Sequence, residues 1–171
     1  MVEKHLHPWV ARLHQRVTTV ENAVLIVLLG IMVVLAGSQI LARNLFGIGL
    51  PEGDQVVRLL VLWVALLGAV AASRDDRHIN IDVLARWLSL RGRLGARLVV
   101  DAFTSGVSGL IAWHAARFVA QERAAGTTLL AGALPAWTGE VIIPAAFGMM
   151  ALRYALHFFH HFNELRLAGR T

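Results

Sequence analysis

Four separate apolar runs, each near the length needed to cross a lipid bilayer, constrain this chain of 171 residues more than any other feature. A transmembrane helix needs about 20 mostly apolar residues to cover roughly 30 Å of hydrocarbon. Runs of that kind lie at about 22–40, 55–73, 98–120 and 141–159. Lipid as the solvent also accounts for the composition: 57% hydrophobic and 16% charged residues, with a mean hydropathy of +0.61. The expected fold is an all-α membrane protein, a single membrane domain over 1–171 with four transmembrane helices. A short amphipathic interfacial helix is expected between the second and the third.

Several functions are excluded early. The chain has no cysteine, hence no disulfide, thiolate metal site or thiol nucleophile. Its net charge of +5 would suit nucleic acid, but the cations cluster at the ends of the apolar runs and no nucleic-acid partner is expected. Lys4 is the only lysine and follows Glu3, so a phosphate-binding loop ending in Gly-Lys-Ser/Thr cannot be built.

The first run could be read as a secretory signal, but it exceeds the usual apolar core of about 7–15 residues and lacks a prompt small-residue cleavage site. It is therefore read as a retained helix. Residues 44–54 carry Gly47, Gly49, Pro51 and Gly53, the punctuation of a turn, and Asp54 is expected to cap the second helix. Arginine crowds 74–97. Within it Ile81, Leu84, Trp87 and Leu88 recur at helical spacing, which places an interfacial helix at about 80–91. In the third span Thr104, Ser105, Gly106, Ser108 and Gly109 permit close helix approach. Pro135 and Trp137 mark an interface before the fourth span, with Pro144 in its first turns or at a kink.

Short loops rich in Lys and Arg stay in the cytoplasm. The N-terminal segment, the connection between the second and third spans and the C-terminal tail together hold eleven such residues, whereas the alternate connections hold Arg43 and Arg123 only. Both termini are therefore expected on the cytoplasmic side.

Charges inside spans are costly and are functional candidates by default. Here they are Arg58, Asp101, His114, Arg117 and Arg153. Arg58 follows Asp54 by four residues and Asp101 follows Arg97 by four, so each has a helical ion-pair partner within reach. A plain structural role and a partner-contact role compete for all five. Haem or metal ligation by His114 with His157, His160 and His161 is disfavoured, because antiparallel spans put His114 at the opposite end from the other three. A histidine-rich interfacial belt is the alternative. A proton-coupled drug antiporter needs a carboxylate deep in the bundle, and neither Glu21 nor Asp101 sits centrally. No catalytic residue, cofactor site or metal site is expected.

Two strings carry a family resemblance. Asp54, Arg58, Trp63, Gly68 and Ala69 form D-x-x-x-R-x-x-x-x-W-x-x-x-x-G-A and lead into Arg74, His78, Ile79, Ile81 and Asp82. Later, Gly126, Thr128, Leu129, Leu134, Pro135 and Trp137 precede Pro144, Gly148 and Arg153. Over about 20–160 this resembles the DctQ-type small permease subunit of tripartite ATP-independent periplasmic (TRAP) transporters. Gly53 departs from the pattern, where relatives often carry an acidic or polar residue.

The resemblance implies a bacterial inner-membrane scaffold with three kinds of partner: a large TRAP membrane subunit, a periplasmic substrate-binding protein and membrane lipids. The large subunit would import a carboxylate under a sodium or proton gradient. On that reading Arg74, Arg77, His78 and Asp82 form a clasp on the large subunit, or else are ordinary cytoplasmic-side charges with a helix cap. Trp87, Arg58 and Trp63 would face the large subunit or lipid. Arg43, Glu52, Asp54 and Arg123 would touch the periplasmic protein, or else are solvated loop charges. The competing function is a self-sufficient small four-helix transporter or channel.

Overall fold

The computed structural model describes residues 8–47, 51–73 and 90–168. The interfacial stretch expected at 80–91 lies outside them except for its last two residues, as do Arg74, Arg77, His78, Asp82 and Trp87. The chain forms two compact units, Met1–Ala71 with Thr128–Leu134, and Ala72–Thr127 with Pro135–Thr171. Four helical segments are long and apolar enough to cross a membrane: Thr18–Leu45, Glu52–Ala72, Gly92–Ala125 and Ala136–Leu167.

In the first unit, helix α1 runs Pro8–Phe46. It ends where Gly47 takes a left-handed φ of 65° and donates its N–H to the Arg43 carbonyl at 3.2 Å, a closure that glycine accepts without a Cβ penalty. Asn44, Leu45 and Phe46 stay helical, so the helix extends three residues into the turn expected over 44–54. Helix α2 is Pro51–Ala72. Proline suits a leading position because its missing N–H would have no helical acceptor there. Asp54 consequently lies inside the first turn and is not the cap that the sequence suggests. With Glu52 it still places negative charge at the positive end of the helix dipole.

The same unit includes most of a small hairpin: strand β1 Thr128–Leu129, a 3-10 turn Leu130–Gly132, and strand β2 Leu134–Pro135. Nothing in the apolar pattern announces it. Leu130 and Ala131 both adopt left-handed backbone at φ 54° and 53°, and Gly132 follows at 98°. The Leu130 N–H donates to Gln55 Oε1 of α2 at 3.0 Å.

In the second unit, helix α3 spans Leu90–Ala125. Its 36 residues make a rod of about 54 Å at 1.5 Å per residue, well beyond the hydrocarbon thickness. The helix therefore starts eight residues before the apolar run expected at 98–120, because Leu90–Arg97 contains no proline to stop it. At its far end Gly126 turns left-handed and bonds the Glu122 carbonyl at 3.2 Å.

A short helix α4, Ala136–Glu140, leads into helix α5, Ile142–Ala168. The break between them follows from Pro144, which has no N–H to offer the Glu140 carbonyl four residues back. The flanking bonds survive, Val141 N–H to Trp137 O at 3.1 Å and Ala145 N–H to Val141 O at 3.3 Å. Helices α3 and α5 pack along their lengths, with a Cβ placed on Gly109 only 3.9 Å from that of Ala151. Thr104, Ser105, Ser108 and Gly109 lie on or beside the packed stripe. Gly106, expected among them, is on the exposed face, since it falls between the i, i+3 and i, i+4 positions that meet α5.

Candidate functional site

The chemistry within the second unit concentrates where α3 meets α5. Among the described residues Asp101 and His161 are the two most deeply buried polar residues, 1% and 2% exposed, and His161 Nδ1 lies 2.8 Å from Asp101 Oδ2. Two ionisable groups in an apolar environment are tolerated because each satisfies the other, whereas either alone would carry a full desolvation cost. One helical turn along α3, the Ser105 hydroxyl donates to the Ala151 carbonyl at 3.0 Å. Arg153 Nη1 donates to the Ser73 hydroxyl at 3.3 Å, also within this unit.

Around His161 the aromatic residues of α5 form a ladder. Its ring stacks near His157 at 6.4 Å, and His157 meets Tyr154 at 6.2 Å. Phe158 stacks with Phe162 at 6.2 Å, and the Arg166 guanidinium lies 5.6 Å from the Phe162 ring. His160 is exposed and pairs with Glu164 at 3.4 Å. The interfacial histidine belt expected from sequence is therefore divided: His160 fits it, but His161 is turned inward and bound to a carboxylate.

The helical ion pairs expected from spacing are not formed. Arg58 Nε donates instead to the backbone carbonyl of Asp54 at 3.3 Å, and the Asp101 carboxylate is taken by His161 across the helix interface rather than by Arg97. A partner sixty residues away wins because the buried carboxylate is met by an equally buried imidazole, a desolvated contact that the half-buried i, i+4 arginine does not make. The pairing leaves only an indirect trace in sequence: antiparallel third and fourth spans put the start of one beside the end of the other.

At the opposite end of α3, the Arg123 guanidinium sits 5.4 Å from the Trp137 ring and the Thr127 hydroxyl donates to the Glu122 carboxylate. Ala136 N–H bonds the Thr127 carbonyl at 2.9 Å, closing the base of the hairpin. Arg123 itself is exposed. In the first unit Arg43, Glu52, Asp54 and Arg58 are exposed and Trp63 is half-buried. The structure thus brings Arg123 to Trp137 and Arg58 to the Asp54 backbone. The large group at 74–87 lies outside the described residues. Among the described residues no three His, Asp or Glu side chains gather as a metal site.

Comparison with known proteins places this geometry. The family model described as "Tripartite ATP-independent periplasmic transporters, DctQ component" matches residues 32–164. The ectoine TRAP transporter small permease protein TeaB of Halomonas elongata is 24% identical over 156 residues, covering 89% of this chain and 81% of that protein. The C4-dicarboxylate TRAP transporter small permease protein DctQ of Rhodobacter capsulatus is 29% identical over 119 residues, 70% of this chain and 52% of that protein. The isethionate TRAP transporter permease protein DctMQ of Oleidesulfovibrio alaskensis is 22% identical over 114 residues, 63% of this chain but 18% of its own length, so this segment is a small part of a much longer permease. With its four membrane-length helices and a family match across most of its length, the chain belongs to the DctQ component family of TRAP transporters, and is a multi-pass inner-membrane transport component rather than an enzyme.

Proposed function

We propose that this chain is the scaffold subunit of its transporter, holding a large permease subunit in the membrane while that subunit imports a carboxylate under an ion gradient. A periplasmic binding protein would deliver the substrate. The observation that carries the reading is the family match over residues 32–164 on four membrane-length helices. Two others support it. The related DctMQ permease contains a segment like this chain within a far longer polypeptide, as expected if the two parts work in contact. At its end of the α3–α5 seam the buried Asp101 carboxylate is engaged by His161, which suits a structural role better than that of an acid cycling a coupling ion.

The relatives' names specify ectoine, C4-dicarboxylates and isethionate. All are small and carry an acidic group, which supports an organic acid as the cargo class. The eleven-to-two cation bias supports both termini in the cytoplasm. In that orientation the Asp101–His161 end faces inward, and Arg43, Glu52, Asp54 and Arg123 lie toward the periplasmic protein. Arg74, Arg77, His78, Asp82 and Trp87 would then be on the inner side, available to the large subunit or to anionic lipid.

The test is co-purification from native membranes of a tagged copy of this chain. A large permease subunit should be recovered with it in stable proportion. Recovery of this chain alone, under mild detergent and with the large subunit present in the membrane, would sink the scaffold reading.

A further inference from the structure

Two glutamines converge on the first turn of α2. From α1, the Gln39 carboxamide lies over Gly53 so closely that a Cβ there would collide with its Nε2 and sit 3.0 Å from its Cδ. Its Nε2 is buried and makes no hydrogen bond among the described residues. What holds Gln39 in place is the space that glycine leaves. The residue that departs from the family resemblance is thus the one whose missing side chain admits a neighbour. Two residues on, Gln55 accepts the N–H of Leu130, the first of the consecutive left-handed residues in the hairpin. Left-handed backbone at a non-glycine residue is unfavourable and persists only where contacts impose it.

We propose that the Gly53–Gln55 turn is a mechanical hub: Gln39 seats it on α1, and through Gln55 it fixes the hairpin tip in its left-handed conformation. A disturbance of α1 at Gln39 is then transmitted to Leu130 and Ala131. The inference concerns the first unit alone and does not depend on the scaffold reading.

The natural absence of cysteine allows a clean reporter. The full chain carrying Ala131→Cys is labelled with a maleimide in lipid nanodiscs, in the Gln39→Ala, Gln55→Ala and double backgrounds. Loss of the Gln55 bond should speed labelling by roughly 2- to 12-fold, the effect of one hydrogen bond. Gln39→Ala should change labelling in the same direction while Gln55 is present, and have no effect once Gln55 is alanine. Gly53→Ala should reproduce Gln39→Ala by expelling the carboxamide. Equal rates in all backgrounds would overturn the proposal, as would a Gln39 effect that persists undiminished without Gln55. Circular dichroism of each variant confirms that the helices are retained, and a variant that loses them is replaced by Gln39→Met or Gln55→Met in the same comparison.

Discussion

Helix α1 and the α3–α5 pair meet the same apolar solvent by opposite means. In the most apolar stretch of α1 no residue is buried, and Ile26, Val34 and Ile40 are all more than 60% exposed. Helices α3 and α5 instead bury Asp101, Ser108 and His161 between them and bond across the seam. Lipid tails are as apolar as leucine, so burying apolar surface supplies little drive for helices to associate inside a membrane. Association must come from close packing and polar contacts. The second unit supplies both within itself, at Gly109 against Ala151 and at Asp101 with His161. The apolar residues of α1 stay exposed. The proposed scaffold role would suit that division, one part held by its own polar seam and one part exposing apolar surface.

The largest effect should come from Asp101→Ala. It strands a buried imidazole, costing about 1–3 kcal/mol, read as a lower unfolding midpoint of the purified chain in mild detergent. Equal stability would show that the second unit does not rely on its polar seam. Ser105→Ala removes a single interhelical bond and should cost about 0.6 kcal/mol, near the average measured for such bonds in membranes. A loss as large as that of Asp101→Ala would mean that the seam acts as one network rather than as separate rungs. The smallest effect should be Val34→Ala. At an exposed site of the isolated chain it should stay within about 0.5 kcal/mol. A greater loss in the isolated chain would erase the contrast between the two regions, while a loss that appears only in the assembled transporter would sharpen it.

The four apolar runs make the membrane architecture legible in the sequence, since runs of that length match the bilayer thickness. Helix ends were less legible. Leu90–Arg97 is basic and fell before the third apolar run, yet it contains no proline, and a helix already formed in the membrane continues into it despite Gly92 and Gly95. Asp54 had the chemistry of a cap, but Pro51 started the helix three residues earlier. The hairpin at Thr128–Pro135 depends on the Leu130 N–H bond to the Gln55 side chain and the Ala136 N–H bond to the Thr127 carbonyl, which no local pattern encodes. Asp101 was visible as an intramembrane charge, but not its partner: His161 looked like one of three clustered histidines, and only helix packing distinguishes it from exposed His160. The family could be read from short motifs because their charged, proline, glycine and tryptophan residues stand out from the interchangeable apolar residues around them.

The most direct test of the scaffold account is solute uptake by proteoliposomes containing this chain alone, compared with liposomes that also hold the large subunit and receive the loaded binding protein. The account predicts no uptake above empty liposomes in the first case and gradient-driven accumulation in the second. Accumulation by the chain alone would contradict it and make the chain a transporter in its own right.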